Sequence, residues 1–137
     1  MTRNPIPLNI AAFSAFDFAC TANTDYIQRV AILILDESGN KLDVFIFSGN
    51  GINVPMKLED GNITKPLPKE TYNRVAFLTF EWSKSGPGGP FLKSNVSDPI
   101  KPAFDWGWVA TISSHGDDDL SDKNYNEAVV TAVARYS

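Results

Sequence analysis

The sequence predicts an all-β protein, an antiparallel β-sandwich of about eight to nine strands that forms one domain over residues 1–137. Three observations lead there. Short β-branched and aromatic segments recur between clusters of Gly, Pro, Asn and Asp. No stretch holds the apolar period of an amphipathic helix. The closing segment, "EAVVTAVARY", holds three valines and a threonine, a composition that favours a strand over the helix its alanines would allow.

Taken in order, "PLNIAAF" and "FDFACTA" read as the first two strands, and "IQRVAILIL" as a third whose apolar run is nearly unbroken. The turn-rich "DESGN", Asp36 to Asn40, links it to "KLDVFIF" as a hairpin. In "SGNGINVPMKL", Pro55 predicts an edge or an irregular strand. "NRVAFLTFEW" and "WGWVATIS" follow, and the last segment alternates so that it would be buried on both faces over much of its length. Between them, residues 83–103 lose all alternation around the Gly/Pro run at 86–90, which predicts a long surface loop.

Composition narrows the function. A formal charge of −4 with scattered Lys and Arg argues against a nucleic-acid partner. No run is long enough for a membrane helix, so membrane insertion is not expected. Cys20 is the lone cysteine and can form no internal bridge. The start, "MTRNPIPLNI", lacks the apolar core of a secretory signal. The expected location is therefore cytoplasmic at synthesis, with any release to the cell surface or exterior by another route.

Catalysis is not expected. His115 is the sole histidine, and neither a nucleophile elbow nor a phosphate-cradling glycine loop is present. Trp106 and Trp108 share a strand face and read as core before they read as a sugar platform. Asn62 and Asn95 open glycosylation sequons, taken as chance without a signal.

The acidic stretch "GDDDLSDKNYNEAVV" is the strongest chemical feature. Asp118, Asp122, Asn124, Asn126 and Glu127 offer hard oxygen donors that a turning backbone can converge on a calcium ion. It is not an EF-hand, since the glycine and glutamate of that loop are missing. On spacing alone, a solvated acidic loop remains an equal reading.

That stretch also resembles the C-terminal loop of the calcium-dependent fucose/mannose-binding soluble lectins of bacteria. Asp118, Asp119 and Asp122 stand at the family's acidic positions, Tyr125 and Asn126 match outright, and Asn124 and Glu127 replace two aspartates. "ANTDYIQRVAILI" is similar to the family's strand–loop–strand, with Asn23 on the calcium-ligating asparagine and Gln28 on the matching glutamine. The family's chain runs on for as many residues after its last acid as this one does from Glu127 to Ser137.

The resemblance covers about a third of the chain, at its two ends. It implies a β-sandwich lectin that holds one or two calcium ions through Asn23, Asp118, Asp122, Asn124, Asn126, Glu127 and the carboxylate of Ser137 lent by a second subunit. Sugar contacts would come from Asn23, Asp119, Asp122, Asn124 and Glu127, with specificity in Thr24, Asp25 and Tyr26. A homodimer or higher homo-oligomer follows, and the ligand would be a fucose- or mannose-type monosaccharide or glycan. Asn124 lowers the charge of this set by one relative to the family. The alternative is an interaction or toxin-like protein that keeps the lectin scaffold with a degenerate metal site.

Overall fold

The computed structural model describes residues 4–84, 88–94, 96, 109–110 and 128–135. They form eight strands and no helix: β1 (Ile6–Ile10), β2 (Ala15–Asp36), β3 (Lys41–Pro55), β4 (Thr64–Leu67), β5 (Arg74–Ser83), β6 (Leu92–Lys93), β7 (Val109–Ala110) and β8 (Ala128–Arg135). Every pairing is antiparallel. The all-β antiparallel sandwich expected from the sequence is what the chain adopts.

The spine is β2. Its first part, Ala15 to Ala22, has β8 on one edge and β4, then the end of β3 at Thr21 and Ala22, on the other; its second, Ile27 to Asp36, lies between β3 and β5. One layer therefore reads β7-β8-β2-β4 and the other β1-β5-β2-β3, with β6 added beside β5. "FDFACTA" and "IQRVAILIL" were expected as separate strands; they are one strand of 22 residues, interrupted by register shifts between Ala22 and Gln28. A bulge of this kind bends a strand without ending it, which is how one strand serves both layers.

Parity survives the bend. Phe16, Phe18, Cys20 and Ala22 point inward before it, and Val30, Ile32 and Ile34 after it. They join Ile6, Leu8 and Ile10 of β1, Ala76, Leu78 and Phe80 of β5, Phe45 and Phe47 of β3, and Ala128, Val130 and Ala132 of β8 in one connected core. Phe18 and Phe45, with ring centroids 5.7 Å apart at 58°, tie the first part of β2 to β3.

The hairpin at Asp36–Asn40 forms as expected. The Asp36 carboxylate accepts the N–H groups of Ser38 at 2.9 Å and Asn40 at 2.8 Å, and Gly39 supplies the positive φ of 86°. Pro55 ends β3, whose outer edge meets only the Ser48–Lys57 bridge among the described residues. Pro66 lies in β4, which among the described residues pairs with β2 alone.

Two expectations need correction. Part of 83–103 is not surface loop: Leu92 and Lys93 pair with Trp82 and Glu81, and Ser94 and Val96 are buried. Asn4 stitches this return in place, donating to the carbonyls of Phe80 (2.8 Å) and Ser94 (2.9 Å) and accepting from the Phe80 N–H (3.0 Å). A two-residue strand carries no alternation to read, so the Gly/Pro run hid it. In β8, one face is buried (Ala128, Val130, Ala132) while Val129, Thr131 and Val133 are half-buried, because no layer lies over that side among the described residues.

Candidate functional site

The irregular centre of β2 is where polar side chains gather. Asn23 Oδ1 accepts the Asn53 N–H at 3.2 Å, and Asn50 Nδ2 donates to the Asp25 carbonyl at 3.1 Å. The Tyr26 N–H donates to Thr24 Oγ1 at 3.3 Å, closing a local turn. Backbone groups that a regular ladder would pair are thus satisfied by side chains, Asn23 and Thr24 from the bulge itself and Asn50 from the facing part of β3. Gly51, at φ 117°, permits this approach: a Cβ there would lie 2.7 Å from Val54 Cγ2. Asn53 shares the left-handed region at φ 57°.

Beside the bulge lies an aromatic and cationic group. The rings of Tyr26 and Trp82 have centroids 5.7 Å apart at 42°, and Lys84 Nζ lies 5.6 Å from both. Arg29 bonds Glu81 through Nη2 at 3.0 Å and Nε at 3.1 Å, and its guanidinium lies 3.7 Å from the centroid of the Phe91 ring. Gln28, opposite Trp82 and Gly49 in the ladder, is fully buried, and neither atom of its amide finds a hydrogen-bond partner.

Of the residues singled out from the sequence, the consecutive Asn23, Thr24, Asp25 and Tyr26 lie on the bulge of β2. Asp118, Asp119, Asp122, Asn124, Asn126, Glu127 and Ser137 lie outside the described residues, as do His115, Trp106 and Trp108. The chain is again described at Ala128, which pairs with Ala22, the neighbour of Asn23. So the residue covalently following the acidic stretch is in register with the residue preceding the bulge. Among the described residues alone, no group of three or more His, Cys, Asp or Glu side chains could hold a metal.

Cys20 sits in the core, where burial pushes its thiol well above the ordinary value and leaves no reactive thiolate. Asn62 donates its N–H and its side-chain amide to the Asp60 carboxylate within a turn. Asn50, Asn53, Trp82 and Lys84 were not singled out from the sequence. The "SGNGIN" run signalled turn chemistry, but nothing in it says which strand faces it.

These features define an all-β sandwich whose central strand carries a bulge, with Asn23 on it and Asn50 and Asn53 facing it from β3, at the end of the β2–β8 pairing. No helix among the described residues is long and apolar enough to cross a membrane. No protein-family model matches the chain, and no curated protein matches it.

Proposed function

We propose that this chain is a calcium-dependent carbohydrate-binding protein of the bacterial fucose/mannose-binding type. The observation that carries the reading is the Ala22–Ala128 pairing, in which the residue before Asn23 lies opposite the residue after Glu127, at the adjoining ends of the two segments that resemble that family. Asn23 supplies an amide oxygen already oriented by the Asn53 N–H. The remaining donors, Asp118, Asp122, Asn124, Asn126, Glu127 and the Ser137 carboxylate, are all hard oxygens, the donor chemistry calcium takes.

Bound calcium would supply direct coordination of sugar hydroxyls, the means by which a neutral sugar with little apolar area gains affinity. The chain's own part is to hold donors and to select. Thr24, Asp25 and Tyr26 flank Asn23 on the bulge, so their side chains set which hydroxyl pattern fits. Asp119 would accept hydrogen bonds from those hydroxyls.

The partner is a second copy of the chain. Leu42, Val44 and Ile46 project from the outer face of the edge strand β3, each 43–45% exposed, beside Leu33 and Ala31 of β2. The stripe is uncharged, so it matches its own kind better than a charged partner. Sedimentation analysis tests this: the native chain should be dimeric and Val44→Lys monomeric.

The lectin reading is tested by calorimetric titration of metal-free protein with calcium and then with fucose or mannose. Calcium-dependent sugar heats support it. Fucose and mannose binding no tighter in calcium than in chelator, or no calcium binding at all, removes it and leaves the interaction-protein alternative.

A further inference from the structure

The Tyr26–Trp82–Lys84 group lies outside the proposed metal set and has chemistry of its own. Two half-buried rings, tilted 42° with centroids 5.7 Å apart, make a shallow apolar platform. Lys84 is exposed, and its ammonium stands 5.6 Å from each ring centroid, near the outer limit of a cation–π contact. The ion pairs among the described residues are Arg29–Glu81 and Lys65–Asp43, so none of the described carboxylates pairs with Lys84. A platform for a ring with C–H groups, beside a cation with no counter-charge among the described residues, suits a carboxylated pyranose.

Its position suits a glycan that already occupies the bulge. Tyr26 is three residues from Asn23, so their Cα atoms lie no more than about 11 Å apart. That distance is on the scale of adjoining sugars in one chain. We propose that Tyr26, Trp82 and Lys84 form a calcium-independent subsite for an acidic sugar, adjoining the monosaccharide site. The C–H face of the pyranose lies on the two rings through dispersion contacts, and its carboxylate pairs with Lys84. As a subsite the inference rests on the lectin reading, but its contacts need no metal.

The test uses the full chain in chelator and ligand-observed saturation-transfer NMR with methyl glucuronide, methyl sialoside and methyl glucoside. One carboxylated glycoside should bind about three-fold or more tighter than the glucoside, a preference of the size an exposed ion pair gives. Which one prevails identifies the acid's carrier. Lys84→Gln should abolish the preference, and Lys84→Arg should keep it. Trp82→Ala should weaken binding of all three by roughly ten-fold. Equal binding of acidic and neutral glycosides, no saturation transfer from any of them, or a preference that survives Lys84→Gln would overturn the subsite. Lys84 is exposed, so its variants do not depend on the core and keep the test decisive even if Trp82→Ala fails to fold. Fucose titration with and without calcium, run in parallel, reports on the lectin reading separately.

Discussion

The two straight parts of β2 and the bulge between them use the same backbone for opposite ends. From Ala15 to Ala22 and from Ile27 to Asp36, the ladder satisfies the main chain on both edges, and every second side chain enters the core. Between them, register fails, and Asn23, Asn50 and Thr24 take over main-chain pairing with their side chains. Regular pairing hides polar backbone and produces stability. Broken pairing leaves amide and hydroxyl groups at the surface, where a ligand can meet them. The sandwich supports the bulge from both sides, so the irregular stretch is held in place without contributing much core of its own.

That contrast can be broken from either side. The largest effect should come from the straight part: Phe18→Ala deletes a fully buried ring that links β2 to β3 and should cost about 3–5 kcal/mol in urea unfolding. At the bulge, Gly51→Ala meets Val54 and must hold φ near 117°, so it should cost about 1–3 kcal/mol. It should also weaken calcium binding, since Asn53 would lose its alignment with Asn23. Tyr26→Gly should change stability little and instead reorder the preference among monosaccharides in glycan profiling, with calcium binding retained. An unchanged profile would move specificity away from the bulge.

The smallest effect lies at the far hairpin. Hydrogen bonds from the Asn40 backbone, and then from Asn40's side chain and the Ser38 and Gly39 backbone, hold the Asp36 carboxyl below its ordinary 3.8. A lowered pKa in the folded state means this contribution is complete above that ordinary value and is lost as pH falls through the lowered one. Asp36→Asn should therefore flatten the acid side of the stability–pH curve while leaving sugar binding unchanged.

Much of the straight architecture was legible in the residues. β-Branched and aromatic composition in "NRVAFLTFEW", "KLDVFIF" and "EAVVTAVARY" marked β5, β3 and β8, and "DESGN" marked the hairpin. What could not be read was continuity across irregularity. A polar interruption such as "NTDY" looks the same whether it ends a strand or bends one, because the difference lies in what pairs on either side. The same holds for Leu92–Lys93, whose strand character comes from Glu81 and Trp82 and not from its own composition. At the site, Asn23 to Tyr26 stood out in the sequence. Trp82 and Lys84 did not, since their nearness to Tyr26 follows from the β2–β5 register. A C-terminal extension tests the proposed part of Ser137. If the Ser137 carboxylate is a ligand, added residues replace it with a neutral carbonyl, and both calcium and sugar affinity should fall, while an N-terminal extension leaves them intact.

The most direct measurement is thermal unfolding of the metal-free chain with and without calcium, repeated for Asn23→Ala. If the bulge and the acidic stretch hold one ion between them, calcium at about a hundred times its Kd adds about 2.7 kcal/mol and raises Tm by roughly 8–12 °C. Asn23→Ala should lose most of that rise while its metal-free Tm falls only slightly. Melting curves that superimpose in calcium and in chelator, or a calcium shift undiminished in Asn23→Ala, would contradict the shared site.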